Sequence, residues 1–452
     1  MHKEISPLDG RYASRLGDLA EMFCEATLMH RRCQVELDYL AALAGTGRFF
    51  RLKPSERKAL RQARDSFRGE EYRRIKRIEA RTAHDVMACV EDLRGRFPAR
   101  AEWIHFALTS EDVNNLAYSL ILRDYAQQLQ LPLLDRVIRR LAELARRWAA
   151  VPFPAKTHGQ PASPTTAGKE LAVFVSRLVR QRRQLQAIRF RGKFGGATGT
   201  WAAWTAADPA YDWLAFSRKF VESLGLEFNP ATTQIEDRDA WSEYFAVTGR
   251  INTILLDLDV DVWEYLSRGF MTQRRKDTEV GSSTMPHKIN PIRFENSEGN
   301  LVLANSLLAT LAQRLCHSRM QRDLSDSTVV RNVGVALAHA HLAWQETLAG
   351  LDTLELDEAA CRAELERTPQ LLAEPYQIVL RAAGVKDAYE RLKALTRGRA
   401  VAPADFHRLL DACPVDEAVK ARLRKLTVPG YTGLAPRVCR DVLAAAKKDL
   451  GE

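Results

Sequence analysis

Apolar residues recur at three- and four-residue steps along most of the chain. Leu134, Val137, Ile138, Leu141 and Leu144 share one face if residues 133–145 are helical. Leu171, Phe174, Val175 and Leu178, continued by Leu185, repeat the pattern. Its longest instance is Val247, Ile251, Ile254, Leu255, Leu258 and Val262. Residues 301–350 also read as helix, from Leu303, Leu307 and Leu311 through Leu337, Leu342 and Leu348. Such spacing lays one apolar stripe along a helix, and the simplest role of these side chains is core packing. No persuasive period-two alternation and no repeat of fixed length is visible, so the predicted fold class is all-α. Several of the periodic segments run past about twenty residues, a length at which amphipathic helices bury their stripes in a bundle or across subunits.

Three stretches break the pattern. Residues 151–166 carry four prolines and precede a helix. Residues 192–204 are Gly-rich, and residues 271–300 mix small residues, prolines and charges between two long helices. Long irregular segments between rigid helices are often functional. From about residue 350 the helices shorten around Gly384, Gly398, Pro403 and Pro414. The expected organisation is an N-terminal helical domain over 1–102, a central bundle over 103–350 and a smaller helical domain over 351–452.

Composition narrows the class. With 46% hydrophobic and 27% charged residues the chain is globular. No stretch of about 18 apolar residues is present to span a membrane. The N-terminus lacks the apolar core of a signal peptide, so a cytoplasmic protein is expected. Seven scattered cysteines, with no C-x-x-C pair, point to reduced and mostly buried thiols. No metal site is expected, because His339 and His341, two apart on a helix, point in different directions. The net charge of +10 would suit nucleic acid or a small polyanion. The basic residues are spread through every region, and Arg180, Arg182 and Arg183 fall on a predicted helix face. That distribution favours a solvated basic surface with a small-molecule partner and no nucleic acid.

The segment Gly281-Ser282-Ser283-Thr284-Met285-Pro286-His287-Lys288-Ile289-Asn290-Pro291 combines hydroxyls, backbone N–H groups, a fixed positive charge and an amide between stiffening prolines. Read from its residues, it is either a solvated turn-rich loop or a lid over a carboxylate-bearing substrate. As a whole it resembles the signature of the fumarase/aspartase superfamily, whose members eliminate fumarate from succinyl compounds. The T-M-P-H-K version is similar to that of adenylosuccinate lyases and carboxymuconate cycloisomerases. Other segments agree, in order: Thr82-Ala83-His84-Asp85, Thr109-Ser110-Glu111-Asp112, Thr157-His158-Gly159-Gln160-Pro161-Ala162 and Thr232-Thr233-Gln234. Phe294-Glu295-Asn296-Ser297-Glu298-Gly299-Asn300 and Arg322-Asp323-Leu324-Ser325-Asp326-Ser327-Thr328 resemble the adenylosuccinate lyase family of the long bacterial type. The likeness runs from Arg11-Tyr12 to beyond Gly398, with one departure: Ala83 stands where the family usually has Asn.

The resemblance implies roles. Ser282 is the base, with Ser283 the adjacent alternative. His158 is the acid that protonates the leaving nitrogen, an act suited to imidazole, and Glu295 holds its ring. His84 and Asp85 bind substrate. Thr109 and Ser110 open a helix whose free N–H groups suit an anion, with Asp112 placed to cap Thr109. Lys288 and Asn290 take a succinyl carboxylate, Gln234 touches the succinyl group and Asn296 joins the same pocket. Arg11, Tyr12, Arg322, Ser327, Thr328 and Arg331 take the nucleotide end, chiefly its phosphate. No cofactor is implied. A homotetramer is implied, with sites shared between subunits. The competing readings are another superfamily enzyme (argininosuccinate lyase, fumarase, aspartase or the cycloisomerase) and, more remotely, a basic helical scaffold for nucleic acid.

Overall fold

A computed structural model of the chain describes residues 4–274, 285 and 288–451. It is all-α, with helices joined by a few short two-stranded pieces. The chain divides into two compact units. One comprises Met1–Leu134, Gln181–Thr253 and Gly299–Trp344, the other Asp135–Arg180, Ile254–Glu298 and Gln345–Glu452. The boundaries fall inside the helices Leu131–Arg147, Ala167–Ala187, Asp239–Ser267, Ile292–Arg314 and Val333–Thr353.

The predicted stripes on Leu131–Arg147, Ala167–Ala187 and Asp239–Ser267 are buried throughout. The stripe read on the Ile292–Arg314 helix needs correction. Leu311 is buried, but Leu303 is 53% exposed, and the buried face is instead Leu301, Ala304, Leu308, Leu311 and Leu315. The helix carries a second apolar face, with Val302 beside Leu303, that the single chain leaves uncovered.

In the first unit an N-terminal core forms around Met29, Leu37, Leu40, Ile75, Val90 and Leu93. Beside it His105, in a left-handed conformation at φ 65°, meets Glu36 with Nδ1 2.5 Å from Oε1. Burial lowers the His105 pKa, but the Glu36 charge and hydrogen bond outweigh it and leave the imidazole above its ordinary 6.5. A histidine raised in this way stabilises the fold fully below its unfolded pKa, and that contribution is lost as pH rises through the folded value. The melting temperature is therefore expected to fall above about pH 6.5, and Glu36→Gln is expected to remove that part of the slope. Identical slopes in the two proteins would refute the assignment. His341, pushed down to about 4 by burial, acts on the acid side and leaves this window untouched.

In the second unit the segment over 151–166, read as irregular, forms an antiparallel hairpin of Pro152–Thr157 and Gln160–Thr166. Its prolines hid it. A two-stranded ribbon is all edge, so a proline nitrogen can face outward without breaking a ladder. The turn is His158-Gly159, with φ of 52° and 73°, the two positive values that a tight two-residue hairpin turn demands. A separate C-terminal core packs Leu365, Tyr376, Leu380, Phe406, Leu410 and Leu423. None of the seven cysteines is in a disulfide, and five of them are buried.

Candidate active site

A cleft of about 510 Å³ opens in the first unit. The Ser110–Tyr125 helix delivers its N-terminus there, with Thr109 as cap and Ser110 and Glu111 in the first turn. Asp112 accepts the Thr109 N–H at 2.9 Å, the half of a capping box that the sequence anticipates. The same carboxylate accepts from the Gly195 and Gly196 amides and pairs with the fully buried Lys193 at 2.7 Å. The Gly-rich stretch thus serves to seat the helix start. Its Gly192 lies where a Cβ would stand 2.4 Å from Leu116, a close approach that only glycine allows.

His84 enters the cleft as N-cap of the Asp85–Arg96 helix, its Nδ1 accepting the Met87 N–H at 3.3 Å. Its side chain is 47% exposed. Ala83 before it is left-handed at φ 53°. Asp85 accepts from Arg32 at 2.8 Å, and Arg331 stands 3.9 Å away. Burial raises the Asp85 pKa, but the charge and hydrogen bond of Arg32, the Val86 N–H and the Arg331 charge overcome it and hold the carboxyl below its usual range. Arg32 is itself buried and also donates to Asn114 at 2.8 Å. Gln234 is held by a bond to the Ala197 carbonyl at 3.0 Å. Arg322 and Ser327 complete the rim beside Arg331.

Eight of the predicted residues therefore line one cleft: His84, Asp85, Thr109, Ser110, Gln234, Arg322, Ser327 and Arg331. Thr328, next to Ser327, is exposed and outside the lining. Arg11 and Tyr12 are also outside it, with the guanidinium 6.0 Å from the Tyr12 ring centroid. His158, Lys288, Asn290, Glu295 and Asn296 belong to the other unit. His158 is exposed at the hairpin tip, and Glu295, in the first turn of its helix, accepts from Trp263 at 3.1 Å. Ser282 and Ser283 lie outside the described residues. Sequence reasoning missed Arg32, Tyr118, Lys193 and Arg238, whose partners are far away in the chain. Among the described residues, no three His, Cys, Asp or Glu side chains gather as metal ligands.

Residues 11–305 match a family model described as Lyase, and residues 318–432 match one described as Adenylosuccinate lyase C-terminal. The chain is 43% identical over 440 residues to the adenylosuccinate lyase of Haemophilus influenzae, covering 95% of this chain and 96% of that one. The adenylosuccinate lyase of Escherichia coli K12 matches at the same identity and coverage. That of Legionella pneumophila strain Corby is 41% identical over 445 residues, covering 96% and 98%. Among solved structures, a fumarate lyase from Mesorhizobium sp. BNC1 superposes with a TM-score of 0.80 at 20% identity, covering 95% of this chain and 97% of that one. A 3-carboxy-cis,cis-muconate lactonizing enzyme from Pseudomonas putida gives 0.79 at 23%, covering 96% and 97%, and shares the fold. Identity above two fifths over nearly the full length, together with the matching C-terminal model, means that the chain belongs to the adenylosuccinate lyase family of the fumarase/aspartase superfamily.

Proposed function

We propose that the protein is a carbon–nitrogen lyase that eliminates fumarate from adenylosuccinate, giving AMP, and from succinylaminoimidazole carboxamide ribotide, giving aminoimidazole carboxamide ribotide. One observation carries the reading. Four separated stretches of chain bring a helix N-terminus, His84, Gln234, Arg322 and Arg331 to a single cleft suited to an anionic nucleotide.

The reaction sets the remaining roles. A C–H bond beside a carboxylate breaks, its electron pair becomes the C=C bond of fumarate, the C–N bond breaks, and the nitrogen gains a proton. Negative charge builds on the carboxylate in between, so fixed donors are needed there. Ser282 takes the carbon proton. A serine hydroxyl serves as a base only where nearby cations and N–H groups stabilise its alkoxide, and Lys288 and Asn290 sit on the same segment. His158 gives the proton to nitrogen, and Glu295 orients its ring. Asn296 joins the succinyl side, and Arg11, Tyr12, Ser327 and Thr328 join Arg322 and Arg331 around the phosphate. These are proton transfers and call for no electron carrier.

The residues come together in a homotetramer, where the cleft of one subunit meets the His158 turn and the signature segment of others. Exposed apolar side chains on the long helices support this assembly. Val173, Val260, Trp263, Ile292, Val302 and Leu303 are each 40% exposed or more in the single chain, and covering them between subunits would be favourable. No helix among the described residues is long and apolar enough to cross a membrane, and we place the reaction in the cytoplasm.

The test is a substrate panel followed by ultraviolet absorbance: adenylosuccinate, the succinylated ribotide, argininosuccinate, malate, aspartate and carboxymuconate. Turnover of the two nucleotides alone is expected, from a preparation that sizes as a tetramer. Turnover of argininosuccinate or carboxymuconate instead would overturn the substrate assignment, and an active monomer would overturn the shared site.

A further inference from the structure

In the wall of the cleft Arg238, Glu111, Asp326 and Arg322 form a four-charge cluster, of which the reaction as written uses Arg322 alone. Arg238 is 3% exposed, left-handed at φ 62°, and held there by Glu236, which accepts its N–H at 2.7 Å. A non-glycine residue in this conformation carries strain that its surroundings must hold in place. The Arg238 guanidinium donates 2.6 Å to Glu111 through Nη2 and 2.7 Å to Asp326 through Nη1, and stands 5.3 Å over the Trp241 ring. Glu111 is in the first turn of the Ser110–Tyr125 helix, Asp326 is in the first turn of the Ser325–Val330 helix, and Gln234 is four residues before Arg238. One fork thus pins three of the stretches that line the cleft.

Arg322 shares the same two carboxylates, but differently. Its Nη1 is 3.1 Å from Glu111 and its Nη2 is 3.7 Å from Asp326. Among the described residues neither contact is aligned as a hydrogen bond, and Arg322 Nη1 and Asp326 Oδ1 are both buried without one. The well-made bonds go to Arg238, and Arg322 contributes charge alone. Two carboxylates in a cluster of low dielectric would otherwise draw the nearest guanidinium fully to themselves.

Building on the proposed lyase reading, we propose that Arg238 is a positioning residue: by satisfying Glu111 and Asp326, it keeps the Arg322 guanidinium available to the phosphate of the nucleotide. Lysine cannot replace it, since one ammonium cannot bridge two carboxylates in fixed directions as a planar fork does. Without the fork, Arg322 turns inward, and the nucleotide end loses a charge-assisted contact while the succinyl end keeps its own.

The experiment measures AMP binding and fumarate inhibition for the full-length wild type, Arg238→Lys, Arg238→Met and Arg238→Met/Glu111→Gln. Wild type that binds no AMP would defeat the lyase reading itself. Given binding by wild type, the Lys and Met variants should lose at least about tenfold in AMP affinity, the worth of one charge-assisted bond. Their inhibition constant for fumarate should stay within about twofold, well under the tenfold that 1.4 kcal/mol represents. Removing the competing carboxylate in the double variant should return part of the AMP affinity. Undiminished AMP affinity in the single variants, equal losses for AMP and fumarate, or a double variant weaker than Arg238→Met would each overturn the proposal. Should Arg238→Met fail to fold, Arg238→Lys with and without Glu111→Gln gives the same comparison.

Discussion

His158→Asn is expected to lower kcat on adenylosuccinate by about 10²–10⁴-fold, the usual contribution of a positioned general acid, while leaving the fold as stable as before or more so. The two halves of this expectation come from one observation. His158 occupies the first of two positive-φ positions in a two-residue hairpin turn, with Gly159 in the second. Asn-Gly is the preferred pair for such a turn, so the substitution improves the local backbone chemistry while removing the imidazole from the tip. The side chain is exposed, so no packing is lost. Activity within a few-fold of wild type would remove His158 from the acid role. A large loss of stability would show that the turn is not the one described.

Asp112→Asn is expected to cost about 3–5 kcal/mol in urea unfolding, because it strips the partner from a fully buried cation. The Asp112 and Lys193 side chains are both 0% exposed and 2.7 Å apart. Lys193 also donates to the Gly196 carbonyl at 2.7 Å, which carries no counter-charge. Asp112 also receives three backbone N–H groups, those of Thr109, Gly195 and Gly196, and an amide NH₂ in its place would face donors with a donor. The loss should reach function as well, since Asp112 seats the helix start that carries Thr109 and Ser110. Combining the change with Lys193→Met should recover much of the stability, because the double variant buries no unpaired charge. A double variant weaker than Asp112→Asn would mean that Lys193 has a role of its own.

The elements of the fold differed in how readable they were. Helices with one apolar face, such as the one carrying Val247 to Val262, announced themselves by period. The Ile292–Arg314 helix was legible as a helix but not its buried face, because Leu303 and Val302 mark a second face that the single chain leaves open. The hairpin at His158 was hidden by Pro152, Pro154, Pro161 and Pro164, which weigh against a strand everywhere except in a ribbon that is all edge. Eight of the cleft residues were placed by motif likeness, and none by composition or spacing. Arg32, Lys193 and Arg238 were invisible for a physical reason. A buried cation is specified by partners distant in the chain, Asp85, Asp112, Glu111 and Asp326 here, and nothing in its own neighbourhood records them. Glu111 and Asp326 lie inside the family motifs, but their common partner Arg238 does not.

The most direct test of the account is a stoichiometric assay of adenylosuccinate turnover by wild type beside Ser282→Ala. Fumarate and AMP released in equal amounts by wild type, with no release by a variant of the same size in solution, is the result predicted. No fumarate from folded wild type would contradict the central claim, and undiminished release by Ser282→Ala would leave the lyase standing while moving the base elsewhere.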